Sequence, residues 1–258
     1  MARRDDNLQA RLDRDLAELK LPEIARAYRE VLDDAARKGS SMLEVLAILI
    51  GLEQSARQQR ALQRRLREAR LPKLKTLADY DFTFPKRIPK AAILRLFDCD
   101  FIPRHGCAVL IGPTGTGKSH ILTALGYTAA ERGYSVRHTR VVDMINHLTT
   151  AQINGLLGKM LKSYVRPGLL LLDELGYLPV DKRGADLLFQ VVAARYESGS
   201  IVLTTNRPFR EWGTLFDVDN TLATALIDRL MHHGEAIVIQ GASYRMKDKD
   251  SDSTSSSA

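Results

Sequence analysis

"VLIGPTGTGKSHILTALG", residues 109–126, passes from an apolar run through a glycine-rich turn into a helical pattern. Its centre, Gly112 to Ser119, matches G-x-x-x-x-G-K-[ST] in full and stands between a candidate strand and a candidate helix, the context this motif requires. Gly115 and Gly117 let the backbone curl around an anion with no Cβ in the way. The loop Gly112, Pro113, Thr114, Gly115, Thr116 and Gly117 then aims its amides at phosphate, aided by the positive end of a helix beginning near Lys118. Lys118 is expected to reach the β and γ phosphates of a nucleoside triphosphate, and the Ser119 hydroxyl to bind Mg2+.

Binding a triphosphate is not hydrolysing it, so further groups are needed. "LLLLDEL" (169–175) is an apolar run ending in two acids. A buried parallel strand presents Asp173 at its carboxyl end beside the glycine loop, where it can hold the magnesium's water shell. Glu174, next along, suits a general base that polarises water. In "IVLTTNRPF" (201–209), Asn206 follows another apolar strand at the same edge, where a carboxamide can orient the attacking water without adding charge. In "LIDRLMHH" (226–233), Arg229 leaves two readings open: a structural pair with an acid such as Asp228, or a finger reaching a neighbouring subunit's γ-phosphate.

The rest of the chain frames this site. Its 258 residues are 45% hydrophobic and 27% charged, ordinary for a globular protein, and no run reaches membrane-span length. The N-terminus mixes acids and bases without an apolar core, so no secretory signal is expected. Cys99 and Cys107 give neither a disulfide framework nor a metal quartet and read as two thiols of a reducing cytoplasm. His232 and His233 have no third ligand spaced to join them, so a helix-end structural role is expected.

Residues 1–71 read as a helical domain: Leu8, Leu12, Leu16 and Leu19 recur at helical spacing, and Ser41 with Glu44 forms a capping box. Residues 72–103, with four prolines, read as a linker. From 104 to 246, apolar runs at 107–112, 135–141, 169–174, 200–205 and 235–240 alternate with helical stretches, which predicts an α/β domain with a five-stranded, mainly parallel sheet covered on both faces. The tail 247–258 reads as disordered.

Charge is concentrated. Residues 54–75 carry eight Lys or Arg against one acid, an excess equal to the +7 of the whole chain. Arg57, Arg60, Arg64 and Arg67 fall in a narrow arc of one helix, with Leu62, Leu66 and Ala69 opposite. Such a line matches a phosphate backbone and predicts salt-sensitive, sequence-tolerant DNA binding. Lys73, Lys75, Lys86, Arg87 and Lys90 extend it, and Lys159 and Lys162 are weaker candidates.

Taken together, "GPTGTGKSH", "LLLLDELGYLPVDKRGADLLFQVVAARYE", "IVLTTNRPFREW" and "LIDRLMHHGEAIVIQGASYR" resemble the IstB-like ATPases, helpers of insertion-sequence transposition related to DnaC helicase loaders and DnaA initiators. The resemblance implies an AAA+ fold, self-assembly with ATP on double-stranded DNA, and delivery of target DNA to a cognate transposase. It matches Lys118 and Ser119 to Walker A, Asp173 and Glu174 to Walker B, Asn206 to sensor 1 and Arg229 to the arginine finger. Glu211, Trp212 and Gly213 match a signature with a structural role, and Thr114 stands where many relatives have proline. No C-terminal lid domain is expected, and Arg245 is the late candidate for a sensor 2 arginine. The expected activity is ATP hydrolysis stimulated by DNA or a partner. A helicase loader on the same core is the close rival; a small-molecule kinase is the distant one, lacking an acceptor pocket and an arginine-bearing lid.

Overall fold

The computed structural model describes residues 2–84, 87–216 and 220–244. Lys86, Arg245 and the tail from 247 lie outside the described residues. The chain forms two compact units that divide between Arg64 and Arg65.

The first unit holds α1 (Ala2–Glu18), α2 (Pro22–Lys38) and most of α3 (Met42–Ala69). Its small core joins Leu16, Tyr28, Val45 and Leu49, with Ile24 and Val31 packed beside them. The capping box starts α3 as expected: Ser41 Oγ accepts from Glu44 N at 3.3 Å, and Ser41 N donates back to the Glu44 carboxylate at 2.7 Å. Glu53, only 3% exposed, is the buried acid of this unit. It accepts from Glu23 N at 2.9 Å and from Arg57 and Arg60 at 3.2 and 3.1 Å.

The second unit contains α4 (Lys90–Phe97), β1 (Cys107–Ile111), α5 (Lys118–Glu131), β2 (Val136–Arg140), α6 (Val141–Ile153), α7 (Leu157–Val165), β3 (Leu169–Leu175), α8 (Lys182–Arg195), β4 (Ser200–Thr205), α9 (Trp212–Leu215), α10 (Asn220–Met231) and β5 (Gly234–Val238). Every strand pair is parallel, in the order β2-β3-β4-β1-β5. The centre of the sheet is buried: Leu169 to Leu172 of β3 are an unbroken, fully buried apolar run, while β4 buries Ser200, Thr204 and Thr205 beside its apolar residues.

The stretch 72–103 differs from the linker expected of it. Despite its prolines it contains α4, and Tyr80, Ile93, Leu96, Cys99 and Ile102 are buried. It is stitched to α5 by Tyr127 Oη donating to Pro72 O at 3.0 Å and Arg132 donating to Asp98 O at 2.6 Å. Arg87 and Gln240 exchange both backbone hydrogen bonds, tying it also to the chain beyond β5. Apolar burial outweighs the local loop signal here.

Arg195, at the end of α8, is 1% exposed. Its guanidinium donates to the carbonyls of Tyr164, Val165, Pro167, Gly168 and Ser200 at 2.7–3.1 Å, closing the turn between α7 and β3 onto β4. Burial pulls its pKa down to about 10. Trp212 is fully buried, donates its indole N–H to Arg207 O at 3.3 Å and meets Phe209 and Phe216 edge-on, the structural role expected of that signature.

Candidate functional site

The glycine loop leaves β1 at the carboxyl edge of the sheet, where β1 lies between β4 and β5. Gly115 and Gly117 adopt φ +83° and +86°. A Cβ on Gly117 would stand 2.5 Å from the Tyr80 ring, and one on Gly115 would collide with Ser243, so the cradle closes only on glycine. The cap of α5 is Gly117 itself, with no side-chain oxygen to meet the first amides of the helix, which suits them to an anion.

Lys118 is 4% exposed and donates from Nζ to Gly112 O and Pro113 O, both at 2.7 Å. Burial pushes its pKa down to about 8, with Asp173 pulling the other way. Ser119 Oγ donates to Asp173 Oδ1 at 3.0 Å. The same carboxylate oxygen accepts from Thr204 Oγ1. Glu174 follows, half-buried, with φ +65°. Asn206 packs against Gly176, and its Oδ1 is buried without a hydrogen-bond partner among the described residues.

A cavity of about 290 Å³ opens over the loop, lined by Lys118, Ser119 and Glu174 below and by Asp79, Tyr80 and Tyr177 around it. Tyr80 Oη donates to Thr116 O at 3.0 Å, and burial raises its pKa to about 12, so it stays a donor at neutral pH. Its ring meets His120 edge-on at 5.4 Å. The donor set fits a magnesium triphosphate: an ammonium for phosphate, a hydroxyl and a carboxylate for a hard cation, and a cradle any Cβ would fill.

The structure brings Lys118, Ser119, Asp173, Glu174 and Asn206 to this one edge. It places Arg229 elsewhere. Arg229 lies near the end of α10 and lines a small crevice with Cys107, the first residue of β1. The glycine loop follows the other end of β1, so the two are separated by the strand's length, roughly 16 Å at about 3.3 Å per residue. Arg229 stacks over Phe189 at 4.5 Å and donates to Ala225 O at 3.2 Å. His232 and His233 sit nearby; the fold corrects the expectation that no third ligand joins them, since ligand atoms of Glu197 come within 4.8 Å of theirs. All three are exposed; the two imidazoles stack on each other and His232 also on Tyr196, the packing role expected at this helix end.

Of the basic stripe, Arg57, Arg60, Arg64 and Arg67 are all exposed. Arg57 also donates to Lys20 O, and Arg60 to Glu23, so both serve the first unit's own packing. Arg64 and Arg67 make no ion pair among the described residues. Lys73, Lys75, Arg87, Lys90, Lys159 and Lys162 are exposed, with Lys90 over the Phe82 ring.

Sequence reasoning missed Thr204, Tyr80 and Arg195. Thr204 carried one faint signal, a hydroxyl pair on an otherwise apolar buried strand; Tyr80 was visible only as an aromatic among prolines.

A glycine loop between β1 and α5, with an acidic strand set one place away beyond β4, is the P-loop arrangement of an AAA+ fold. Residues 14–252 match the family described as IstB-like ATP binding protein, and the chain belongs to that family. It is 38% identical over 234 residues to "Insertion sequence IS21 putative ATP-binding protein" of Pseudomonas aeruginosa, covering 91% of this chain and 88% of the relative. It is 37% identical over 231 residues to "Insertion sequence IS5376 putative ATP-binding protein" of Geobacillus stearothermophilus, covering 90% and 92%. Its fold is similar to that of AMPPCP-bound DnaA from Aquifex aeolicus, with a TM-score of 0.56 at 21% identity, covering 73% of this chain and 57% of that one. It is similar also to the DnaC helicase loader, with a TM-score of 0.54 at 22% identity, covering 64% and 96%. Among the described residues no helix is long and apolar enough to cross a membrane.

Proposed function

We propose that this protein is an ATPase regulator of transposition that assembles on duplex DNA, hydrolyses ATP between subunits and helps a transposase receive target DNA. One observation supports the reading: Lys118, Ser119, Asp173 and Glu174 gather at one edge of the sheet while Arg229 lines a crevice with the residue that begins β1, the separation expected of a site that a second copy completes.

ATP entering the cavity competes for Lys118, whose ammonium moves from the carbonyls of Gly112 and Pro113 to the phosphates. Ser119 and Asp173 would hold Mg2+, which supplies charge neutralisation at the β and γ oxygens. Glu174 takes a proton from water as the water oxygen bonds to the γ-phosphorus; the bond from that phosphorus to the β,γ-bridging oxygen breaks, and ADP and phosphate leave. Asn206 orients the water. Arg229 of an adjoining copy stabilises the charge on the transferring phosphoryl group.

Phosphate release is measured with no acceptor other than water, with and without duplex DNA. DNA is expected to raise the rate, and Glu174→Gln to keep ATP binding while slowing turnover at least a hundredfold and prolonging DNA assemblies. A Glu174→Gln variant that turns over normally removes the base assignment. Failure of the protein to retain DNA or a transposase encoded beside it removes the transposition reading.

A further inference from the structure

The β3–β4 ladder is interrupted at one place. Leu172 pairs with Leu203 and Leu175 with Thr205, so Asp173 and Glu174 together stand opposite Thr204 alone. An extra residue in one strand is a bulge, a device that re-aims side chains. Glu174 here takes φ +65°, a left-handed conformation costly for a residue with a Cβ, and Gly176 follows at φ +91°.

One side chain bridges the irregularity. Thr204 is 1% exposed, and its Oγ1 accepts the Glu174 N–H at 2.9 Å. The same hydroxyl donates to Asp173 Oδ1, the oxygen that also accepts from Ser119 at 3.0 Å. The bulge displaces the ladder, and this hydroxyl supplies the Glu174 amide with the acceptor it would otherwise lack.

We propose that Thr204 is a positioning residue for the reaction: its hydroxyl fixes both the Asp173 carboxylate that faces Ser119 and the backbone turn that directs Glu174. The inference rests on reading this edge as a magnesium-dependent ATPase site. Valine has the shape and strand preference of threonine but neither donates nor accepts, so Thr204→Val leaves the Glu174 amide unpaired and Asp173 with one hydroxyl fewer. Thr204→Ser keeps both hydrogen bonds.

The test compares wild type, Thr204→Val and Thr204→Ser below the lowest of their melting temperatures. A fluorescent ATP analogue is titrated with and without Mg2+, and phosphate release is measured in parallel. Affinity without Mg2+ should be alike in all three. The gain in affinity on adding Mg2+, and the turnover, should fall about 10- to 100-fold in Thr204→Val, the range for losing a residue that orients a metal ligand. Thr204→Ser should stay within about threefold of wild type, since it keeps both hydrogen bonds. A valine variant matching wild type in both measurements overturns the proposal. So does loss of magnesium-free binding in valine, or equal failure of serine and valine, because each marks a packing role. If wild type releases no phosphate, the ATPase reading fails on its own, and the magnesium-dependent affinities still decide whether Thr204 positions Asp173.

Discussion

Lys118 shows how a single buried cation prepares a site for its ligand. Its ammonium has only carbonyl partners in the loop, and burial brings its pKa down to about 8. Because the folded value lies below the ordinary lysine value, the unfolded chain binds more protons between the two. The nucleotide-free protein should therefore gain stability as pH rises from about 8 toward the unfolded value near 10.4. Phosphates have the opposite effect on the group and restore its charge. ATP binding at pH 8 should accordingly take up about half a proton, since roughly half of Lys118 is neutral there. Calorimetry in two buffers of different ionisation enthalpy measures that uptake, and Lys118→Met should abolish it together with most of the affinity. Arg195 is the structural counterpart, a cation with five carbonyl partners and no acid. Arg195→Met strands those carbonyls and should destabilise the fold by about 3 kcal/mol or more. That corresponds to a fall of roughly 6–12 °C in a thermal melt for a domain of this size.

At the scale of elements, β1 and β3 were legible because parallel strands buried on both faces read as near-continuous apolar runs. The run at 200–205 coincides with β4, and the one at 169–174 ends one residue short of β3. The site's positions on strand ends followed from the same logic. Less was legible where local and tertiary signals conflict. Prolines around α4 announce a loop, yet Ile93 and Cys99 are fully buried. Thr204 has the composition of any strand residue, and only the bulge opposite it reveals its hydroxyl as a bridge. Arg195 looks like a solvated helix charge until the fold wraps carbonyls around it. In α3, spacing put four arginines on one face but could not show that Glu53 lies beneath two of them.

That distinction reshapes the test of DNA binding by the molecule as a whole. Reversing Arg57 or Arg60 places a second acid against buried Glu53 and disturbs the first unit, so those variants confound binding with folding. Arg64→Ala with Arg67→Ala leaves those contacts in place. If both touch phosphate, the slope of log affinity against log salt should fall by about 2, equally for all sequences. An unchanged slope retires these two arginines as contacts. Arg229→Ala should leave nucleotide binding by the isolated chain intact and remove hydrolysis by the assembled form. Mixing it with Glu174→Gln should recover some turnover, since a junction can then draw an intact glutamate from one copy and an intact arginine from the other.

The position of Arg229 has one more consequence. A chain that carries the socket on one edge of its sheet and the finger on the other joins its copies head to tail, so on the proposed reading every assembly has a polarity. An open row always ends in one socket without a finger and one finger without a socket. Turnover per protomer should then climb with the length of the row and level off, the terminal deficit being diluted as copies are added. A closed ring has no such deficit. Counting phosphate released against assembly length thus reads the symmetry of the assembly from chemistry alone.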